Sequence, residues 1–459
     1  MQIDDALTLA AIQPRLEAFF ALAGPKIRAL EDSWDPKQGS PVFTAAGRYT
    51  ARGWTEWTQG FQYGCQILHF DATGDEAFLE MGRRNTLLRM APHVSHVGVH
   101  DHGFNNLSTY GNLWRLEKEG RIPARDGEAY HALAIKLSGA IQAARWSGIA
   151  DGSGFIHSFN GPHSLFSDTI RSCRILMLAH LLGHVLMGEG DRSISLFERA
   201  AQHMINTAKY NVYYGEGRDS YDVPGRVVHE SIFNMKDGNY RCPSTQQGYT
   251  PFSTWTRGLA WVLLGAAEEL ELLRSLPAGY PCGNVDRNAL SEALLRMATE
   301  TAEFYLENTA RDGIPFWDTG APGLAHLPNY TEEDAQPDNP YEPLDSSAAV
   351  IAAQGLLRLG CLCGLDTPDG QAYWQAGLTV ANTLFQAPFL SEAPDHQGLL
   401  LHSVYHRPNG WDYIPPGKCV PHGESSMWGD YHAMELAVYL KRLHEGGPYL
   451  TFFGKLESI

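Results

Sequence analysis

Two kinds of apolar pattern alternate along the chain. Residues 170–186 are apolar on nearly every side, through Ile170, Ile175, Leu176, Met177, Leu178, Leu181 and Leu182, and the stretches 255–267 and 348–357 read the same way. A helix apolar all round must be buried all round. Between these lie one-faced helices. Ile194, Phe197, Ala201 and Met204 form a stripe in 191–209, opposite Glu198, Arg199 and Gln202, and Leu290, Leu294, Met297, Thr301 and Phe304 form another in 287–308. Helical patterns fall near 4–32, 57–71, 75–91, 104–118, 127–145, 166–187, 191–209, 254–274, 287–308, 345–362, 370–386 and 425–444. Alternating buried and half-buried helices predict two concentric layers, and twelve helices make six pairs. The expected fold is an all-α (α/α)6 barrel, a six-hairpin toroid. The segments 226–233 and 399–404 predict short β-strands in loops at one end. No Pro/Gly/Ser-rich linker divides the chain, so residues 1–459 are expected to form one domain, although the length would allow more.

Polar and aromatic clusters recur where the inner helices begin. They are Trp57-Thr58-Gln59-Gly60-Phe61, His100-Asp101-His102-Gly103-Phe104, Phe166-Ser167-Asp168, Thr254-Trp255-Thr256-Arg257-Gly258, Asp345-Ser346-Ser347 and Ser425 through Tyr431. Inner helices of a toroid run parallel, so these clusters would meet at one mouth, where helix N-termini favour negative charge. Asp, Ser and Thr at helix starts are also ordinary caps, and Trp255, Trp261 and Trp428 could be core aromatics. Capping explains Asp101 less well, because it sits among His100, His102 and Gly103. Asp168 precedes an almost unbroken apolar helix, which should raise its pKa as a general acid requires. His93, His96, His100 and His102 could in principle hold a transition metal, but no further ligand cluster stands near them, and no metal is expected.

Composition narrows the partners. The chain is 44% hydrophobic, enough for a large core, with 35 basic against 52 acidic residues and a net charge of −17. That balance argues against nucleic acid or an anionic membrane, while a short anionic ligand could still be received by a local cation. Seven scattered cysteines without a CxxC pair suggest neither a disulfide framework nor a zinc knuckle. The N-terminal run lacks the basic region of a secretory signal, and no run approaches a ~20-residue membrane span. A cytoplasmic protein, monomeric or homodimeric, is expected.

The segments WTQGF (57–61), HDHGF (100–104), SDTIRSCRILMLAH (167–180), QQGYTPFSTWTRGLAW (246–261), PFWD (315–318), LDSSAAVIAAQGLLRLG (344–360) and ESSMWGDYHAMELAVYL (424–440) occur in this order. Through them the chain resembles glycoside hydrolase family 88, the unsaturated glucuronyl hydrolases, and more distantly family 105, the unsaturated rhamnogalacturonyl hydrolases. The resemblance runs from about Trp57 to Tyr439 and implies an (α/α)6 barrel. It implies Asp168 as catalytic acid/base, Asp101 as its partner, and Trp57, His100, His229, Arg257 and Trp261 as substrate-binding positions. Ser425 or Ser426 would correspond to a serine region meeting substrate substituents. The chain departs from the family at His102, where leucine is more usual, at Phe159, where tryptophan is usual, and at Gln246, where histidine commonly precedes QGY.

The implied substrate is a small anionic oligosaccharide with a 4,5-unsaturated uronic acid at its non-reducing end. Ordinary glycosidases attack the anomeric carbon with two carboxylates about 5–5.5 Å or ~6.5–9.5 Å apart. A vinyl ether instead allows protonation at C4 and addition of water at C5, with no cofactor. On this reading Asp101 raises the pKa of Asp168 by repulsion, Arg257 clamps the uronate, and Trp57 and Trp261 stack on sugar. Two alternatives stand beside it. One is an N-acylglucosamine 2-epimerase-like enzyme using His229 and His402. The other is a non-catalytic carbohydrate-binding protein on the same fold.

Overall fold

A computed structural model describes residues 1–53, 56–124 and 126–447. Its long helices are α1 (Leu9–Ser33), α2 (Gln59–Thr73), α3 (Glu76–Arg89), α4 (His102–Asn106, a π turn Leu107–Gly111, then Asn112–Lys118), α5 (Asp126–Ala144), α6 (a 3-10 turn Ser167–Ser172, then Cys173–Leu181), α7 (Leu196–Tyr210), α8 (Thr256–Ser275), α9 (Arg287–Asn308), α10 (Ser346–Cys363), α11 (Pro368–Leu384) and α12 (Met427–His444). The even-numbered helices pack side by side in the order α2, α4, α6, α8, α10, α12, and α12 returns to α2, so the ring closes. The odd-numbered helices lie outside it. This is the two-layered (α/α)6 barrel that the alternating pattern predicts.

The layers follow from the sequence. In α10, all residues from Ser346 through Leu362 are buried. Its length and composition would allow it to cross a membrane, yet 94% of it is enclosed by neighbouring helices. The outer helix α7 buries Leu196, Phe197, Ala200, Ala201 and Met204 and leaves Glu198 and Arg199 half-buried at its edge, with Arg199 packed over Trp146. Its start is set by Ser195, whose side chain accepts the Glu198 N–H at 3.2 Å, so it begins later than residue 191. α6 stops at Leu181, well short of 187, because Gly183 turns the chain with φ 77° into a hairpin pairing Leu186–Met187 with Ser193–Ile194.

Short strands sit at the ends of inner helices. Ser164–Phe166, Glu230–Phe233 and Tyr240–Ser244 form a three-stranded antiparallel sheet with 230–233 in the middle. The segment 399–404 makes only an isolated bridge, Leu390 to Leu400, because much of its backbone bonding goes to side chains of α12 and loops. Gly103 supplies a close approach that the site depends on. A Cβ there would collide with the backbone of Ser172, so only glycine lets the start of α4 press against the start of α6.

Candidate active site

The starts of the inner helices surround a cavity of about 350 Å³. Asp101 and Asp168 lie in its wall together with His100, and their nearest ligand atoms are all within 4.8 Å of one another. The Gly103–Ser172 contact brings the α4 start beside the α6 start, and the sheet brings in a fourth group. Phe166 pairs with Glu230, and the ladder continues one step as the Ser167 N–H donates to the His229 carbonyl at 2.9 Å. His229 therefore arrives next to Asp168.

Backbone N–H groups set both imidazole tautomers. His229 Nδ1 accepts from Gln246 N–H at 3.1 Å and Gln247 N–H at 3.4 Å, which leaves its proton on Nε2, 3.8 Å from Asp168 Oδ1. His100 Nδ1 accepts from Phe159 N–H at 3.3 Å. Its Nε2–H then faces Asp168 Oδ2 at 3.2 Å and Asp101 Oδ1 at 3.6 Å. The His100 N–H thus meets Asp168 directly, and the His229 N–H lies beside its other oxygen beyond hydrogen-bond distance. His100, Asp101 and Asp168 have the residue types and proximity to surround a cation, but the N–H on the nitrogen facing that space makes a shared-proton cluster the better chemical description.

The electrostatics reverse one expectation. Burial pushes the Asp101 carboxyl up to about 6, with Asp168 adding to the rise and His100 opposing it. Burial acts upward on Asp168 too, but the His100 N–H hydrogen bond, with the positive ends of the His100 and His229 N–H dipoles beside it, outweighs burial and holds Asp168 below its ordinary value. The resting proton of the pair therefore lies on Asp101, and repulsion between the carboxylates is expressed there. Burial holds His229 down to about 4, so it is neutral.

The other expected residues divide. Trp57 lines the cavity, half-buried, with its ring 5.1 Å from Trp428. Trp261 reaches the wall but is 3% exposed, stacked on Phe104 at 5.6 Å, with Arg171 5.4 Å from its ring. It is a floor residue rather than an open sugar platform. Arg257 also lines the cavity, but its guanidinium is engaged by Asp345 at 2.7 Å, Gln247 Oε1 at 3.1 Å, the Tyr405 carbonyl at 2.8 Å and the Val404 carbonyl. That anchors the cavity wall, and any clamp on a carboxylate must share these bonds. Ser425 and Ser426 are fully buried outside the wall: Ser425 packs beside Gly398, and Ser426 caps α12 by accepting the Gly429 N–H at 3.1 Å. Ser426→Ala is accordingly expected to cost about 1 kcal/mol in chemical denaturation with turnover retained.

His402 faces away from the cavity. Its Nε2 meets the Pro388 carbonyl at 3.2 Å and its Nδ1 accepts the Gly423 N–H at 3.0 Å, so the His229–His402 pair of an epimerase does not form. The histidine run is held by separate hydrogen bonds, one of which joins two of its members. His96 Nδ1 lies 2.7 Å from His102 Nε2, Asn105 Nδ2 lies 3.0 Å from His102 Nδ1, and His93 meets Gln59 Oε1 at 2.8 Å. His102 is thus a buried link under the wall. Phe159 and Gln246, two departures from the family pattern, both line the cavity, and Phe159 lies parallel to His100 at 6.0 Å. Tyr405, His406, Asn409 and Trp411 also line it and were not anticipated, because a loop without periodicity carries them. Their only signal was two aromatics and a histidine between helical patterns.

No family model matches the chain. It is 26% identical over 405 residues to a protein named unsaturated glucuronyl hydrolase from Bacillus sp. (strain GL1), covering 87% of this chain and 90% of that protein. An unsaturated chondroitin disaccharide hydrolase from Streptococcus pyogenes serotype M1 is 24% identical, with 88% and 86% covered. Among solved structures, the unsaturated glucuronyl hydrolase of Bacillus sp. GL1 superposes with a TM-score of 0.68 at 22% identity, over 95% of this chain and 97% of that one. An unsaturated glucuronyl hydrolase specific for heparin superposes with a TM-score of 0.70 at 19% identity, over 94% and 98%. Relatives named unsaturated glucuronyl hydrolase thus match nearly the whole length of the chain in sequence, and solved structures of that name share its fold.

Proposed function

We propose that the chain is a hydrolase of glycoside hydrolase family 88, acting as one catalytic unit on small oligosaccharides that carry a 4,5-unsaturated uronic acid at the non-reducing end. The observation that carries the reading is the carboxyl pair at the cavity wall, with the His100 N–H directed at Asp168 and close to Asp101. The free cysteines fit a reducing, cytoplasmic setting.

The chemistry follows from one shared proton. The uronate brings another negative charge beside the pair, which favours its protonated form. The proton passes from Asp101 to Asp168, which delivers it to C4, and the C4=C5 electrons form the new C–H bond. The resulting oxocarbenium charge at C5 is shared with the ring oxygen. Asp168, again a carboxylate, takes a proton from water as its oxygen bonds to C5. The hemiketal then opens as the C5–ring oxygen bond breaks and the C5 hydroxyl proton passes to the ring oxygen, and the hemiacetal left at C1 releases the partner sugar as its hydroxyl proton passes to the leaving oxygen. His229 and His100 hold the Asp168 carboxylate in place between its two duties. Trp57 offers the open aromatic face for the sugar.

Incubation with unsaturated uronyl disaccharides should abolish the ultraviolet absorbance of the double bond. No loss with any chondroitin, hyaluronan, heparin, pectin or gellan fragment would sink the reading. The pH profile tests the proton inventory. The competent pair holds one proton, and the group that carries it at rest titrates at about 6. Deprotonation removes the acid, so kcat/KM should fall as pH rises through about 6, and fall again only in strong acid as Asp168 is protonated. A rate that climbs between pH 6 and 8 contradicts this assignment.

A further inference from the structure

The mouth of the barrel carries an aromatic cluster that the site above does not use. Tyr221 and Phe252 are 49% and 45% exposed, with ring centroids 4.4 Å apart and planes 25° from parallel. Tyr249 and Val223, from the same two loops, are also exposed. Large apolar faces left open together mark binding surfaces more often than chance. These loops are firmly held. Buried Arg226 donates from Nε to the Tyr221 carbonyl at 2.7 Å and from Nη1 to the Pro251 carbonyl at 3.2 Å, while Asp318 accepts the Tyr249 N–H at 2.8 Å.

Position links the pair to the cavity. Gln247 and Trp255 both line it, so residues 248–254 form a short loop on its rim. Phe252 is three residues from Trp255, which limits their Cα separation to about 11 Å. An oligosaccharide continuing past the ring being cleaved spans such a distance. The chemistry also fits. The C–H faces of a pyranose carry partial positive charge and suit the negative faces of aromatic rings. A chain of net charge −17 repels an anionic oligosaccharide at long range, and stacking attracts it without needing a cation.

We propose that Tyr221 and Phe252 form a distal subsite that stacks on a sugar toward the reducing end and favours substrates longer than a disaccharide. The proposal rests on the hydrolase reading. Its test is kcat/KM on the di- and tetrasaccharides of unsulfated chondroitin, both with an unsaturated end, for the wild type, Phe252→Ala, Tyr221→Ala and Phe252→Tyr, with molar mass measured by light scattering. The alanine variants should lose about tenfold on the tetrasaccharide, keep their disaccharide rate, and remain unchanged in mass, while Phe252→Tyr restores the long substrate. Equal losses on both lengths, or no loss on the tetrasaccharide, overturn the subsite while leaving the hydrolase reading intact. A change in mass with length preference untouched overturns it too, and makes the pair a contact between copies. If the wild type cleaves neither substrate, the hydrolase reading fails for this backbone and the subsite falls with it.

Discussion

Asp168→Asn should lower kcat/KM by about 10³-fold, the scale on which general acid–base groups act. Asparagine keeps the shape, and its one oxygen can still accept the His100 N–H, so the fold should persist. It can neither give up a proton to C4 nor take one from water, so both halves of the reaction lose their agent. Steady-state kinetics on an unsaturated disaccharide, with circular dichroism to verify folding, measure this. A variant that keeps more than a tenth of wild-type activity would remove Asp168 from the mechanism and leave a binding function on an intact barrel.

Asp101→Asn should cost about 10²-fold and, more tellingly, change the pH profile. The carboxyl pushed up to about 6 is the one removed, so the fall in rate through that pH should disappear or move. The remaining carboxyl, Asp168, is held down by His100, so without its partner the proton is harder to retain at neutral pH. The double variant should be little worse than Asp168→Asn alone, because the two residues serve one proton transfer. An Asp101→Asn enzyme with the wild-type pH profile would show that Asp168 carries the resting proton after all, as its apolar surroundings first suggest.

These two effects rest on information of different origin. The identity of both aspartates was legible, because each sits in a short polar motif at the head of a predicted helix. The direction of their pKa values was not. Asp168 precedes an apolar helix, and sequence alone argues for a raised value. The sheet that delivers His229, and the Phe159 N–H that fixes His100, join segments far apart in the chain, and together they reverse the balance. Arg257 is similar: a lone arginine at a helix start reads as a ligand for anions, whereas Asp345 and two loop carbonyls already engage it.

The sequence by itself determined the twelve helices, their two layers and the end of the barrel where polar groups gather. Helical periodicity is local, and burial on all sides leaves its mark residue by residue. Serine caps and apolar stripes likewise act within a few residues of themselves. Only the tertiary structure decided how the irregular loops close over the mouth, which aromatic faces remain open, and where the shared proton rests. Those depend on hydrogen-bond contacts between groups up to a hundred and more residues apart, such as His100 with Asp168 and Arg257 with the 404–405 carbonyls, and no local pattern encodes such contacts.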